Sequence, residues 1–177
     1  TDVEDIFVEK VNVEDTNTYE YCGKNLAFHI VEETIYVKGK SPHIETIKST
    51  VHGPLIGNVS GRNNFSISLS SKTLMEMDLP SAIYAINVAQ NVHEFSNAVD
   101  LIYAPQLNVA YADMEGNIGL FISGRIPIRK KGNGQLPVKG WTGEYDWDRD
   151  IPLSEMPKLI NPKQGYLISC NNKIVDH

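Results

Sequence analysis

The stretch 107–129, LNVAYADMEGNIGLFISGRIPIR, constrains the fold more than any other part of the chain. Val109 and Tyr111 alternate with Asn108, Ala110 and Ala112, a turn cluster follows at 113–117, and a second extended run covers 118–123. Two short apolar runs split by Asp, Gly and Asn predict a β-hairpin, because Gly and Asn accept the positive φ that such turns need. Gly119 and Gly124 lie in the returning strand, where a missing side chain lets a neighbouring backbone approach. Pro127 has no amide hydrogen and closes the strand. Taken alone, these residues describe a core hairpin with no chemistry of its own.

Around this hairpin the pattern predicts an α+β chain. Residues 1–70 read as a mainly antiparallel β portion, and 71–177 as a helix pair, the core hairpin and a last short strand. Residues 2–13 alternate as a strand, with Phe7, Glu9, Val11 and Val13 on one face. Residues 14–25 read as a turn region and 26–37 and 43–51 as strands; 55–64 reads as a loop. Residues 65–70 alternate with Phe65, Ile67 and Leu69 on the dry side. From 81 onward Ala82, Ile83, Ala85, Ile86 and Ala89 follow helical spacings. Asn91 with Glu94 makes a capping box ahead of a second helix striped by Val92, Phe95, Val99 and Ile102. Residues 141–165 read as irregular, with one helical turn near 153–156 that Pro152 or Ser154 starts. Residues 166–170 read as a short apolar strand delivering Asn171 and Asn172.

Composition excludes several classes. With 41% hydrophobic and 21% charged residues, the 177-residue chain can bury a core and is not a disordered polyampholyte. A net charge of −6 argues against a general nucleic-acid binder. The one basic cluster, Arg125, Arg129, Lys130 and Lys131, reads as a solvated loop edge. Cys22 and Cys170 form no CxxC pair, so a cysteine zinc site is unsupported. Buried free thiols are expected, and a single disulfide between them stays open. No apolar run approaches the roughly 20 residues of a membrane span, and no signal peptide is visible. His52, beside Gly53-Pro54, lacks a GxSxG partner and reads as a hydrogen-bonded loop histidine.

The run AYADMEGNIGLFISGRIPIR is followed in order by Gln135-Leu136-Pro137-Val138, Gly140-Trp141, Tyr145-Asp146-Trp147, Pro157, Asn161-Pro162, Gly165-Tyr166 and Asn171-Asn172. With DVEDIFVE at 2–9 and Thr50-Val51-His52-Gly53-Pro54, this series resembles the penicillin amidase family of N-terminal-nucleophile amidohydrolases. The resemblance implies part of a four-layer αββα sandwich and an internal piece of a catalytic β-subunit. It implies cleavage of a linear amide, such as a penicillin, cephalosporin or N-acyl side chain. The nucleophile would be a serine freed by self-cleavage, with its own α-amino group as base. Asn171 aligns with the family's oxyanion donor; a carboxamide offers a neutral N–H that titration cannot remove. Thr1 directly precedes the DVED-like segment, whereas the family nucleophile lies several dozen residues upstream, so Thr1 as nucleophile is the alternative.

The resemblance also implies a structural calcium ion, with carboxylates from Asp2 and Asp5 and backbone carbonyls from Glu4 and Gly134, and no other cofactor. The partners it implies are the rest of a precursor, or α- and β-subunits, and a small-molecule amide. The isolated chain is expected to be inactive, and apolar surface left bare in it could drive self-association. The alternative from another class is a non-catalytic β-rich binding or structural module of the same fold. Compartment is not legible in the residues, although family members are often periplasmic or secreted.

Overall fold

The structure, a computed structural model, describes residues 3–62, 64–74 and 78–170. In chain order the strands are β1 (Glu4–Lys10), β2 (Thr18–Tyr21), β3 (Lys24–Ala27), β4 (His29–Ile35), β5 (His43–Thr50), β6 (Gly53–Asn58) and β7 (Phe65–Ser71). Helices α1 (Leu79–Val88) and α2 (Val92–Val99) follow. The remaining strands are β8 (Asn108–Ala112), β9 (Ile118–Ile122), β10 (Pro127–Arg129), β11 (Val138–Lys139), β12 (Trp147–Asp150) and β13 (Lys158–Ile160). This is the expected α+β composition, rich in antiparallel strands. The chain forms two compact units, one of residues up to Ser71 with Arg129–Asp148, the other of Lys72–Ile128 with residues from Arg149 on.

The first unit is built on a six-stranded sheet in the order β11-β1-β7-β6-β5-β4. β1 pairs antiparallel with β7, from Glu4 opposite Ser71 to Lys10 opposite Phe65. On its other edge β1 pairs parallel with β11, Phe7 opposite Val138. The β5–β6 connection is a two-residue turn, Val51-His52, closed by Thr50 opposite Gly53. Gly53 has φ 117°, and a Cβ there would stand 2.3 Å from the Leu69 carbonyl oxygen, so only glycine fits. Residues expected to be a turn region instead form the β2–β3 hairpin, because Cys22 (φ 49°) and Gly23 (φ 74°) both take the left-handed conformation a tight hairpin turn demands. β6 also departs from expectation: residues 55–58 read as a loop, but pairing with β7 holds them extended.

β7 inverts its expected faces. Ser66 and Ser68 are buried while Phe65, Ile67 and Leu69 are half-buried. The inward face is polar because it looks onto a buried carboxylate. Both cysteines are exposed and outside any disulfide, contrary to the expected burial, Cys22 because it sits in the hairpin turn.

The second unit carries the expected helix pair and hairpin. Asn91 Oδ1 accepts from the His93 and Glu94 amides, while Glu94 reaches back to the Gln90 amide, one residue before the cap, and to Asn91 Nδ2, a variant of the predicted capping box. The stripe on α2 meets β9: Val92, Phe95, Val99 and Phe121 form the core, with Val109, Tyr111 and Ile160 packed against it. β8 and β9 pair from Asn108 opposite Ile122 to Ala112 opposite Ile118. Asp113 fixes the turn between them by accepting from the Glu115 and Asn117 amides at 2.9 Å.

The other edge of β9 is taken by β13. Asn161 (φ 47°) prolongs this pairing with a side-chain rung, its Oδ1 accepting from the Ile118 amide at 2.9 Å. Residues 166–170 were expected to be a strand and are not. The segment meets β8 through a side chain, Asn108 Nδ2 donating to Ser169 Oγ at 3.3 Å. The predicted helical turn near 153–156 is a 3₁₀ turn, Leu153–Glu155, with Pro152 at its cap.

Candidate functional site

Alternation along β1 points Asp5, Phe7 and Glu9 to the same buried side. Two of these three residues are acids, so each must find partners there or lose stability to desolvation. Asp5 meets Arg129: Arg129 Nη2 donates to Oδ1 at 2.8 Å and Nε to Oδ2 at 2.8 Å, and Trp147 Nε1 donates to Oδ2 at 2.6 Å. The expected solvated basic edge is therefore wrong for Arg129, whose partly buried side chain is held in a two-pronged ion pair.

Glu9 lies deeper and is fully buried. Its Oε1 accepts from Thr50 Oγ1 at 2.8 Å and from Ser68 Oγ at 2.6 Å, and lies 2.8 Å from His52 Nδ1. The other ring nitrogen, Nε2, lies 3.0 Å from Asp146 Oδ1. Asp146 Oδ2 accepts from Tyr21 at 2.7 Å and from Lys130 Nζ at 3.2 Å. Phe7 stacks flat on the imidazole, ring centroids 3.9 Å apart and 7° from parallel, and Tyr21 meets it edge-on. Glu9 Oε2 has no hydrogen-bond partner among the described residues and lies over Gly140, where a Cβ would stand 2.3 Å away.

Electrostatics follow from this geometry. Burial pushes the Glu9 pKa up, but hydrogen bonds from His52 and Ser68, the His52 charge and the Thr50 bond outweigh it, and the carboxyl is held below its ordinary range. Burial likewise pushes His52 down, and hydrogen bonds to Glu9 and Asp146 with their charges carry it above its ordinary value. For Asp146 burial raises and the bonds from His52, Tyr21 and Lys130 lower, with a net lowering. Tyr21 is pushed up, first by its bond to Asp146.

This arrangement is a brace, not a nucleophile–base pair. A general base needs a ring nitrogen free to take a proton from a hydroxyl or water. Both nitrogens of His52 are engaged by carboxylates, and the hydroxyls of Ser68 and Thr50 face Glu9. Sequence reading identified His52 as structural but missed its partners, which lie 43 and 94 residues away. The available signal was Glu9 itself, an acid sharing a strand face with Phe7.

The remaining expected site residues are placed as follows. Asn171 and Asp2 lie outside the described residues. Glu4 Oε1 accepts from Ser71 Oγ at 3.1 Å. Gly134 abuts the Asp5–Arg129 pair, where an added Cβ would stand 2.4 Å from Asp5 Oδ1 and 2.6 Å from Arg129 Nη2. A calcium ion entering between Asp5 and Gly134 would meet the fixed guanidinium charge. Among the described residues no three His, Cys, Asp or Glu side chains converge as a metal group. Asp5 is held by Arg129 and Trp147, and Asp2, the other expected carboxylate, lies outside the described residues.

A β-rich α+β chain with these landmarks has clear relatives. The chain belongs to the penicillin amidase family, whose sequence profile, described as penicillin amidase, matches residues 1–177. It is 34% identical over 180 residues to the acyl-homoserine lactone acylase QuiP of Pseudomonas fluorescens (strain Pf0-1), covering 99% of this chain and 22% of that protein. It is 32% identical over 171 residues to penicillin G acylase of Escherichia coli, covering 95% of this chain and 20% of that protein. The solved structure of a thermostable penicillin G acylase from Alcaligenes faecalis superposes with a TM-score of 0.85 at 30% identity, over 99% of this chain and 32% of that one. The chain thus spans about a fifth of the length of the curated relatives it matches.

Proposed function

We propose that this chain is the β-rich portion of an amidohydrolase that cleaves a linear amide by acyl transfer to an N-terminal serine, and that it contributes one oxyanion donor, the Asn171 carboxamide. The observation that carries this reading is the end-to-end match, in sequence and in fold, to proteins named as acylases. In this reading the nucleophile and its α-amino base come from the rest of the parent protein, either as one precursor or as processed subunits, and the 177 residues alone are inactive. The chain's own contribution is electrostatic. A fixed neutral N–H stabilises the charge that develops on the carbonyl oxygen.

The test is Asn171→Ala in the full-length parent, assayed on N-acyl-homoserine lactones and on phenylacetyl amides. The expected result is a kcat lowered by a factor on the order of 10²–10³ in protein that still matures. A near-normal kcat removes Asn171 from the mechanism. Amide hydrolysis by the purified 177-residue chain, abolished by Thr1→Ala, would move the nucleophile to Thr1.

A further inference from the structure

The Glu9–His52–Asp146 cluster has a property that a plain brace does not need. An imidazole donates from both nitrogens only as the imidazolium; either neutral tautomer donates once and presents a lone pair at the other nitrogen. Here both nitrogens face carboxylate oxygens, at 2.8 and 3.0 Å. Losing the proton would therefore turn a lone pair onto one of two anions at hydrogen-bond distance. The local charge count changes with it. Glu9 and Asp146 are balanced by His52 and Lys130 when the imidazole is charged, and one negative charge is left over when it is not.

We propose that His52 is a proton-controlled latch, which when protonated fastens the segment around Asp146 to β1 and when neutral lets that segment go. The two carboxylates are not equivalent, and this decides which side gives. Glu9 is fully enclosed and keeps Thr50 and Ser68 if the imidazole leaves. Asp146 lies outside regular strand, just ahead of β12, on a side chain that retains some exposure, and it would keep only Tyr21 and Lys130. The imidazole itself cannot retreat. Phe7 covers one of its faces, the Tyr21 edge meets it, and the His52 carbonyl is held by Ser70 Oγ. The titratable and charged groups facing it are thus Glu9 from β1, Tyr21 from β2, Asp146 and, through Asp146, Lys130; Tyr19 of β2 holds the neighbouring Val51 amide.

The direction follows from the carboxylates, which favour the charged ring. His52 is raised above its ordinary value in the folded chain, against the pull of burial. Its contribution is fully present below the unfolded value of about 6.5 and is lost as pH rises through the raised one. The latch is closed below the ordinary histidine value and opens as pH rises through the raised one. This inference does not depend on the amide-hydrolysis reading.

The experiment is hydrogen–deuterium exchange on the full-length protein from about pH 6 to 10, corrected for intrinsic exchange and followed in peptides covering 140–148. Protection there should fall about 10- to 100-fold in one single-proton transition, the worth of one charged hydrogen bond. His52→Gln, which cannot titrate, should remove the transition, and Asp146→Asn should move it to lower pH. A flat profile in the unmodified protein, or the same transition in His52→Gln, overturns the proposal. Where His52→Gln does not fold, an unchanged midpoint in Asp146→Asn overturns it, as does a His52 ring that is already neutral at about pH 6 by selective ¹⁵N labelling.

Discussion

Gly140 sits where β11 ends and the chain turns over the buried carboxylate of Glu9, and replacing it by alanine tests that placement. An ideal Cβ there would lie 2.3 Å from Glu9 Oε2, 2.8 Å from Cδ and 3.1 Å from Oε1. Gly140 is itself buried. Alanine's methyl therefore cannot turn to solvent, and Glu9 is not a flexible tip that can swing aside. Its Oε1 is fixed by Thr50, Ser68 and His52. Either the backbone at 139–141 moves, loosening the parallel pairing of β11 with β1, or Glu9 moves and its charged bond to His52 lengthens. Overpacking of this kind costs about 1–3 kcal/mol, and a disturbed hydrogen bond to a charged group adds roughly 1.5–3 kcal/mol. Gly140→Ala should thus destabilise by about 3–5 kcal/mol, read from the urea midpoint at unchanged slope. Gly57 in β6 is the control, because nothing lies within 4 Å of its Cβ position; Gly57→Ala should stay within about 0.5 kcal/mol. In a Glu9→Ala background the clash is gone, so the two changes should couple by about 1–3 kcal/mol. A Gly140→Ala protein as stable as the Gly57→Ala control, or an additive cycle, would refute the reasoning.

Three further outcomes rest on other contacts. Asn91→Ala removes an acceptor serving two amides at the start of α2 and should cost about 1 kcal/mol by urea unfolding, with Asn91→Asp nearly neutral. Arg129→Met strands the buried Asp5 carboxylate and should cost about 3–5 kcal/mol; Arg129→Lys should recover only part, since an ammonium cannot form the two-pronged contact. On the acid side, Glu9 and Asp146 are both held below the ordinary carboxylate range. The stability they contribute is complete above about pH 4 and is lost as pH falls through their lowered values. The urea midpoint should drop as pH falls below about 4, and Glu9→Gln should flatten that slope.

The features legible in the sequence are those set by near neighbours. The hairpin at 108–122 depends on a turn whose Asp113 bonds amides two and four residues on. The start of α2 depends on Asn91 and Glu94, three residues apart. The helical turn after Pro152 is equally local. What escaped were elements whose identity is settled by a distant partner. Residues 55–58, within the stretch read as a loop, have loop composition and become strand because β7 pairs with them. The 166–170 run has strand composition and is not a strand; it meets β8 through the Asn108 side chain and not through a ladder.

The polar interior of the first unit shows the same division most sharply. Hydrophobic alternation assigns Phe65, Ile67 and Leu69 to the dry side of β7, and the reverse holds because Ser68 is drawn to Glu9. Glu9 in turn is tolerated without exposure only because His52 and Asp146 arrive from remote parts of the chain. A periodicity argument assigns faces by apolarity, so it fails wherever the buried layer is charged. It fails here as a set, since once Glu9 points inward, Ser68, Thr50, His52, Asp146 and the bare Gly140 all follow from satisfying or accommodating one carboxylate. An acid on the same face as a buried aromatic, as with Glu9 beside Phe7, is therefore the point at which to look for a histidine and a glycine elsewhere in the chain.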